Sequence, residues 1–165
     1  MVDGMDTNYV NVPIEIIKEL ALKSLDSNEA VWFSCDVGKF SSSSQGILDQ
    51  KAFNYKDTLG LEVKTNKKEQ LSYLISEVNH AMVLKGYTKE KGSKNNTIKK
   101  WLVENSWGSK SGIHGNLIMS DKWFDDYVFQ IVIDKRFCPK NITNILKSKP
   151  VLLEPWDPFG NLLIK

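Results

Sequence analysis

The sequence predicts an α+β fold in which an antiparallel sheet, or a partial barrel, is flanked by helices. Three observations lead to this fold class. Strand-like segments follow one another without regular crossover helices, which parallel neighbours would need. Two of them, 80–90 and 97–107, are joined by a polar connection rich in turn formers, as in a hairpin. Apolar residues at helical spacing in 13–26 add a helix before the sheet.

Length and composition indicate one globular domain that covers residues 1–165. Hydrophobic residues make up 41% and charged residues 25% of the chain, which argues against disorder and against a coiled coil. The N-terminal residues contain no apolar run, and no stretch is long enough to span a bilayer, so we expect a cytoplasmic protein without a membrane partner. Cys35 and Cys138 are then expected to be reduced thiols.

The first third of the chain predicts one helix, one strand and a long loop. Pro13 is suited to a first helical turn, and the apolar residues that follow at helical spacing are Ile14, Ile17, Ala21 and Leu25. The segment AVWFSCDV, residues 30–37, is rich in β-branched and aromatic residues and predicts a strand. Residues 38–66 contain four consecutive serines and no sustained period, which predicts a loop that borders a site.

A second helix is expected from Thr65 to about Asn79. Polar residues that can cap a helix come first, and one helical face then carries Leu71, Leu74, Ile75 and Val78. The predicted hairpin follows, with its turn at 91–96.

The remaining segments alternate between short strands and short helices. We expect a glycine-rich loop at 108–115, strands at 116–119 and 128–134, and helices at 121–127 and 139–147. The last residues, 150–165, contain three of the five prolines and no period, which predicts an extended C-terminal arm.

His80 and Asn105 are the candidate catalytic pair. If the hairpin turns at 91–96, residues near 80 and near 105 lie opposite each other, because their midpoint falls in that turn. Asn105 would then accept a hydrogen bond from one ring nitrogen of His80 and fix its tautomer, while Trp107 would shield that bond from water. The alternative is a chance contact between polar hairpin residues. The other histidine, His114, lies in a glycine loop and is interpreted as structural or surface-exposed.

Several motifs occur in order over nearly the whole chain. They are EAVWFSCDVGK (29–39), His80-Ala81-Met82, WLVENSWG (101–108), SDKWFDDYV (120–128) and EPWDPFG (154–160). Together they resemble the bleomycin hydrolase and aminopeptidase C branch of the papain-like cysteine peptidases. Within that branch the chain is similar to the C-terminal, barrel-bearing half that carries the histidine and the asparagine.

The resemblance implies roles for three residues. His80 would be the general base, Asn105 its orienting partner and Trp107 the aromatic cover. The nucleophile of the family, a cysteine at the start of a helix, has no counterpart here, because Cys35 lies in a strand beside Asp36. We therefore expect the C-terminal domain of such an enzyme, either as a fragment or as a chain completed by a separate N-terminal half that carries the cysteine. Alone, the chain is expected to be inactive.

The resemblance also suggests partners. Peptides hydrolysed from the amino end are the implied substrates, and relatives assemble as hexamers, so a homo-oligomer is expected. Leu163, Ile164 and Lys165 would form the tip of an arm that reaches into the cleft, with a frayed tail as the alternative. The lysines at 89–100 are better explained by a solvated hairpin tip than by nucleic acid binding. No cofactor and no metal are expected.

A second hypothesis belongs to a different functional class. The chain could be a non-catalytic interaction protein derived from a peptidase half and retained for binding. The missing nucleophile favours this alternative, whereas the His80 and Asn105 pair favours the enzyme. Turnover of a peptide, as opposed to binding alone, distinguishes the two.

Overall fold

A computed structural model of the chain describes residues 8–61, 65–90, 97–154 and 156–157. Within them, seven strands form one sheet in the order β2-β3-β6-β5-β4-β1-β7. The strands are β1 (Val31–Cys35), β2 (Ser41–Ser42), β3 (Ile47–Leu48), β4 (His80–Lys89), β5 (Ile98–Glu104), β6 (Asn116–Ser120) and β7 (Val128–Val132). The helices are α1 (Ile14–Asp26), α2 (Tyr55–Leu59), α3 (Lys67–Ser72), α4 (Asp121–Tyr127) and α5 (Lys140–Ile145). The hairpin turn predicted at 91–96 and the arm residues Leu163, Ile164 and Lys165 lie outside the described residues.

The sheet is antiparallel except at one position. β4 pairs with β1 on one side and with β5 on the other, and β5 pairs with β6, all antiparallel. β3 and β6 are parallel, with Ile47 opposite Ile118. This parallel pair was not predicted. The chain between β3 and β6 is long enough to return in the same direction, as a parallel neighbour requires.

The core lies between one face of the sheet and the helices α1 and α4. Alternate residues of each long strand are buried there, as the period of a strand requires. The predicted first helix is present as α1, and Ala21 is fully buried while Ile14, Ile17 and Leu25 pack against the core. The largest fully buried side chains are Trp101, Trp123, Phe33 and Phe124.

The region 38–66, predicted as a loop, contains short regular elements. β2 and β3 form a small hairpin at the edge of the sheet, and α2 follows them. Asn54 caps α2 by accepting a hydrogen bond from the backbone of Asp57 at 3.1 Å. Elements of two to five residues are too short for the strand or helix period to repeat, so the sequence shows no recognisable pattern there, which explains the wrong prediction.

The second predicted helix is present but ends earlier than expected. α3 covers Lys67–Ser72 and begins with a capping box in which Asn66 binds the third helical residue, Glu69, as the polar residues before it predicted. Leu74 then adopts a left-handed φ of 54°, which ends the helical path. Beyond it the hydroxyl of Ser76 donates a hydrogen bond to the buried carboxylate of Asp36, the residue after β1, and this tertiary contact outweighs the helical pattern.

The C-terminal part agrees with the prediction of a helix at 139–147, which is present as α5. Residues 149–154 are neither helix nor strand, and Val151 is 86% exposed. No helix in the described part of the chain is long and apolar enough to cross a bilayer.

The ammonium group of Lys67 links α3 to β7 and makes the stability of the fold depend on pH. Its Nζ donates a hydrogen bond to the carbonyl of Val128 at 2.5 Å and lies 5.0 Å from the ring of Phe129. Burial lowers the pKa of Lys67 to about 8, although Asp125 and Asp126 oppose that shift. Between pH 8 and the ordinary pKa of a lysine, the unfolded chain therefore binds more protons than the folded chain, so stability rises with pH.

We expect the free energy of unfolding of the wild type, relative to that of Lys67→Met, to increase by about 1 to 2 kcal/mol between pH 7 and pH 9.5. Urea unfolding of both proteins at the two pH values measures this difference. Other groups with shifted pKa, such as Cys35, are present in both proteins and cancel. If the free energy of unfolding changed equally with pH in wild type and variant, the lowered pKa of Lys67 would be contradicted.

Candidate functional site

His80 is the first residue of β4 and lies opposite Cys35, the last residue of β1. Along β4 it points to the same face as the buried Met82 and Leu84. The imidazole therefore lies where the core face of the sheet ends, and it is only partly buried. An aromatic ring at such a rim is fixed by packing on one side and accessible on the other.

Asn105 follows directly on β5, which ends at Glu104. The predicted strand 97–107 is thus too long, and Asn105 and Trp107 lie in the bend after it. Val83 is opposite Glu104, so continuing the ladder would not place Asn105 directly across from His80. The side chains nevertheless meet, with 2.9 Å between His80 Nε2 and Asn105 Oδ1. The hydrogen bond predicted from the sequence is therefore present, as a diagonal contact at the end of the hairpin.

The surroundings of Asn105 determine which atom donates in this hydrogen bond. The backbone N–H of Ser106 donates to the same side-chain atom of Asn105 at 2.8 Å, and an N–H can only donate. That atom must therefore be the oxygen, so Nε2 of His80 carries the proton. In the neutral imidazole Nδ1 is then unprotonated, which is the state of a base that can accept a proton.

Trp107 covers the imidazole, as the sequence predicted. The centroid of its ring lies 4.9 Å from that of His80, with 30° between the ring planes. Its side chain is 46% exposed, so one face of the indole contacts the imidazole while the other faces solvent. The Nδ2 of Asn105 is buried and has no partner among the described residues.

The environments of both cysteines raise the pKa of their thiols. Cys35 is fully buried in the core, and burial, followed by the charge of Asp36, raises the pKa of its thiol. Burial also raises the pKa of the Cys138 thiol, which lies next to Pro139 after a short 3-10 turn. The thiolate is the reactive form of cysteine, and both environments disfavour it.

The other histidine does not take part in this arrangement. His114 is in an exposed turn with a φ of 53°, and its carbonyl accepts a hydrogen bond from the side chain of Asn116. Its backbone shapes the loop, as the structural interpretation of this residue predicted. The role of Ser106 was not predicted, because its backbone N–H orients the amide of Asn105 and leaves no side-chain signal in the sequence.

The sequence is similar to that of known peptidases. The sequence matches the Peptidase C1-like family over residues 1–160. It is 44% identical over 163 residues to bleomycin hydrolase of Gallus gallus, an alignment that covers 98% of this chain and 36% of the relative. It is 38% identical over 164 residues to aminopeptidase C of Listeria monocytogenes, with 99% and 36% covered.

A solved structure shows the same similarity in three dimensions. PepW of Lactobacillus rhamnosis HN001 superposes with a TM-score of 0.86 and 40% sequence identity, over 91% of this chain and 33% of that one. This match confirms the predicted fold class. The chain spans about a third of the length of the relatives that it matches.

Proposed function

Because this chain belongs to the Peptidase C1-like family, as its motifs predicted, we propose that it supplies the general base and its orienting amide to a thiol-dependent aminopeptidase. The observation that carries the proposal is the hydrogen bond of 2.9 Å between His80 Nε2 and Asn105 Oδ1. It fixes the tautomer in which Nδ1 is free to accept a proton. The proposed substrates are peptides, hydrolysed at the amino end.

The geometry is suited to a sequence of proton transfers at one ring. Nδ1 of His80 takes the proton of a thiol, and the resulting thiolate attacks the carbonyl carbon of the peptide. The proton then passes from Nδ1 to the leaving amine, which departs and leaves a thioester. Water, deprotonated by Nδ1, hydrolyses the thioester and regenerates the thiol. Throughout, Nε2–H donates to Asn105, so the neutral amide keeps the ring oriented without itself exchanging a proton.

The thiol is proposed to come from residues outside these 165. Cys35 is fully buried in the core, and burial raises the pKa of Cys138 despite the nearby charge of Lys23. On this proposal the chain alone does not hydrolyse peptides.

Complementation tests the proposal. We expect hydrolysis of a fluorogenic aminoacyl amide when the chain is combined with the cysteine-bearing portion of a relative such as aminopeptidase C, and none with either part alone. In the complemented protein, Asn105→Ala is expected to lower kcat by about 10² fold with little change in KM, because the base loses its orientation and its correct tautomer.

The matched control is Asn116→Ala, which removes another partly buried asparagine near the same loop without touching the imidazole. Its kcat should stay within about threefold of wild type. Full activity of Asn105→Ala, or turnover by the 165-residue chain with no added thiol, would refute the proposed division of roles.

A second candidate is an interaction protein without catalysis. Its specific support is the exposed apolar surface near the C-terminus, where Val151, Leu152 and Trp156 project into solvent, together with the two unreactive thiols. Saturable peptide binding without turnover, even after complementation, would favour this alternative over the enzyme.

A further inference from the structure

A buried carboxylate lies at the end of β1, next to the segment that leads into His80. Asp36 is only 2% exposed. Its Oδ2 accepts a hydrogen bond from Ser76 Oγ at 2.8 Å, and its Oδ1 accepts one from Asn79 Nδ2 at 2.7 Å. The backbone N–H of Glu77 also donates to Oδ2, at 3.4 Å. These four residues, called the Asp36 cluster below, fix the chain immediately before the proposed base.

Asn79, the residue directly before His80, is bound to this strand end at two further points. Its backbone N–H donates to the carbonyl of Cys35 at 3.1 Å. Its Oδ1 accepts a hydrogen bond from the backbone N–H of Val37 at 3.0 Å. Together with the hydrogen bond to Asp36, three polar groups of Asn79 therefore bind the consecutive residues 35–37. Neither the backbone nor the side chain of Asn79 can rotate freely.

We propose that Asp36 is a positioning residue for His80, because it binds the chain that enters β4 and so helps to set the position from which Nε2 reaches Asn105. This inference rests on the proposed function, since it concerns the same base. A catalytic group must be held within about 0.5 Å and 10 to 20° of its productive position. The amide of Asn105 orients the tip of the imidazole, whereas the Asp36 cluster fixes the backbone that carries it.

The strained backbone between α3 and β4 agrees with this role. Leu74 has a φ of 54° and is 71% exposed, two features that disfavour a leucine. The backbone N–H of Ile75 donates to the carbonyl of Gln70 at 2.8 Å and closes the turn. The segment thus leaves its helix abruptly, and its next polar residues turn inward to Asp36.

The chain contains a matched control for the loss of a buried serine hydroxyl. Ser34 lies on β1, two residues before Asp36, and donates to Gln130 Oε1 at 3.0 Å. Ser34 and Ser76 are both almost fully buried. Ser34→Ala therefore removes a hydrogen bond of the same kind as Ser76→Ala, but from a contact with β7 and not from the segment before His80.

The test uses the full chain labelled with ¹⁵N at histidine. The measured quantities are the fraction of His80 with the proton on Nε2 and the rate at which that proton exchanges with water, well below the midpoint of thermal unfolding. His114→Asn identifies the second histidine signal. We expect Asp36→Asn and Ser76→Ala to accelerate this exchange about tenfold or more, and Ser34→Ala to stay within about twofold of wild type.

A purely structural role would give a different result. If Ser76→Ala and Ser34→Ala lower the unfolding midpoint alike and leave Nε2–H exchange equally slow, Asp36 does not position His80. Should Asp36→Asn fail to fold, the two serine variants decide the question. The exchange measurement does not depend on peptidase activity. If the variants change exchange while the separate complementation assay shows no turnover, the proposed function is refuted and the positioning role remains.

Discussion

Replacing His80 by glutamine is expected to reduce kcat of the complemented peptidase by on the order of 10⁴-fold. Glutamine fills a similar volume and can still donate to Asn105, but it has no group that accepts a proton at the position of Nδ1. The thiol would then lack its base, and the leaving amine would lack its acid. Single-turnover kinetics with a fluorogenic aminoacyl amide measures the loss in the chemical step.

His114→Asn is the matched control, because asparagine tolerates the left-handed backbone of that position and the side chain is exposed. Its kcat should remain within about twofold of wild type. A kcat of His80→Gln within tenfold of wild type would show that some other group acts as the base.

Gly112→Ala is expected to lower the free energy of unfolding by about 3 kcal/mol or more. Gly112 has a φ of 58°, where a side chain is strained, and an added Cβ would lie 2.4 Å from the carbonyl oxygen of Asn116. That oxygen belongs to the backbone of β6 and cannot move aside cheaply. The N–H of Gly112 also binds the carbonyl of Ser43 at 2.9 Å, so the strain would spread to the β2 and β3 hairpin.

Substitutions at two other glycines distinguish the cost of backbone strain from the cost of the steric clash. Gly60 has a φ of 67° but open space around it, so Gly60→Ala should cost about 1 kcal/mol from the backbone alone. Gly86 lies in β4 outside the left-handed region and also has open space, so Gly86→Ala should change stability by less than about 0.5 kcal/mol. Urea unfolding of the three variants checks the order. If the Gly112→Ala protein were as stable as the Gly86→Ala protein, the predicted clash between the added Cβ and the carbonyl oxygen of Asn116 would be wrong.

Long elements with a regular apolar period were predicted best. α1 and the strand β4 repeat their apolar residues over several periods, and each was predicted close to its observed bounds. β5 was also predicted, although its predicted C-terminal end lies beyond Glu104. The contact of His80 with Asn105 was also predictable, because a hairpin is nearly symmetric about its turn and relates the residues at its two ends. The wrong predictions fall on the shortest elements, such as α2.

By itself, the sequence determined the fold class, the family and the two side chains that form the candidate site. Only the tertiary structure decided which nitrogen of His80 is free, since that depends on the backbone N–H of Ser106. It also decided where α3 ends, because the carboxylate of Asp36 binds residues about forty positions away. A local pattern records which residues share a face, whereas hydrogen bonds between distant segments form only once the sheet has brought those segments together.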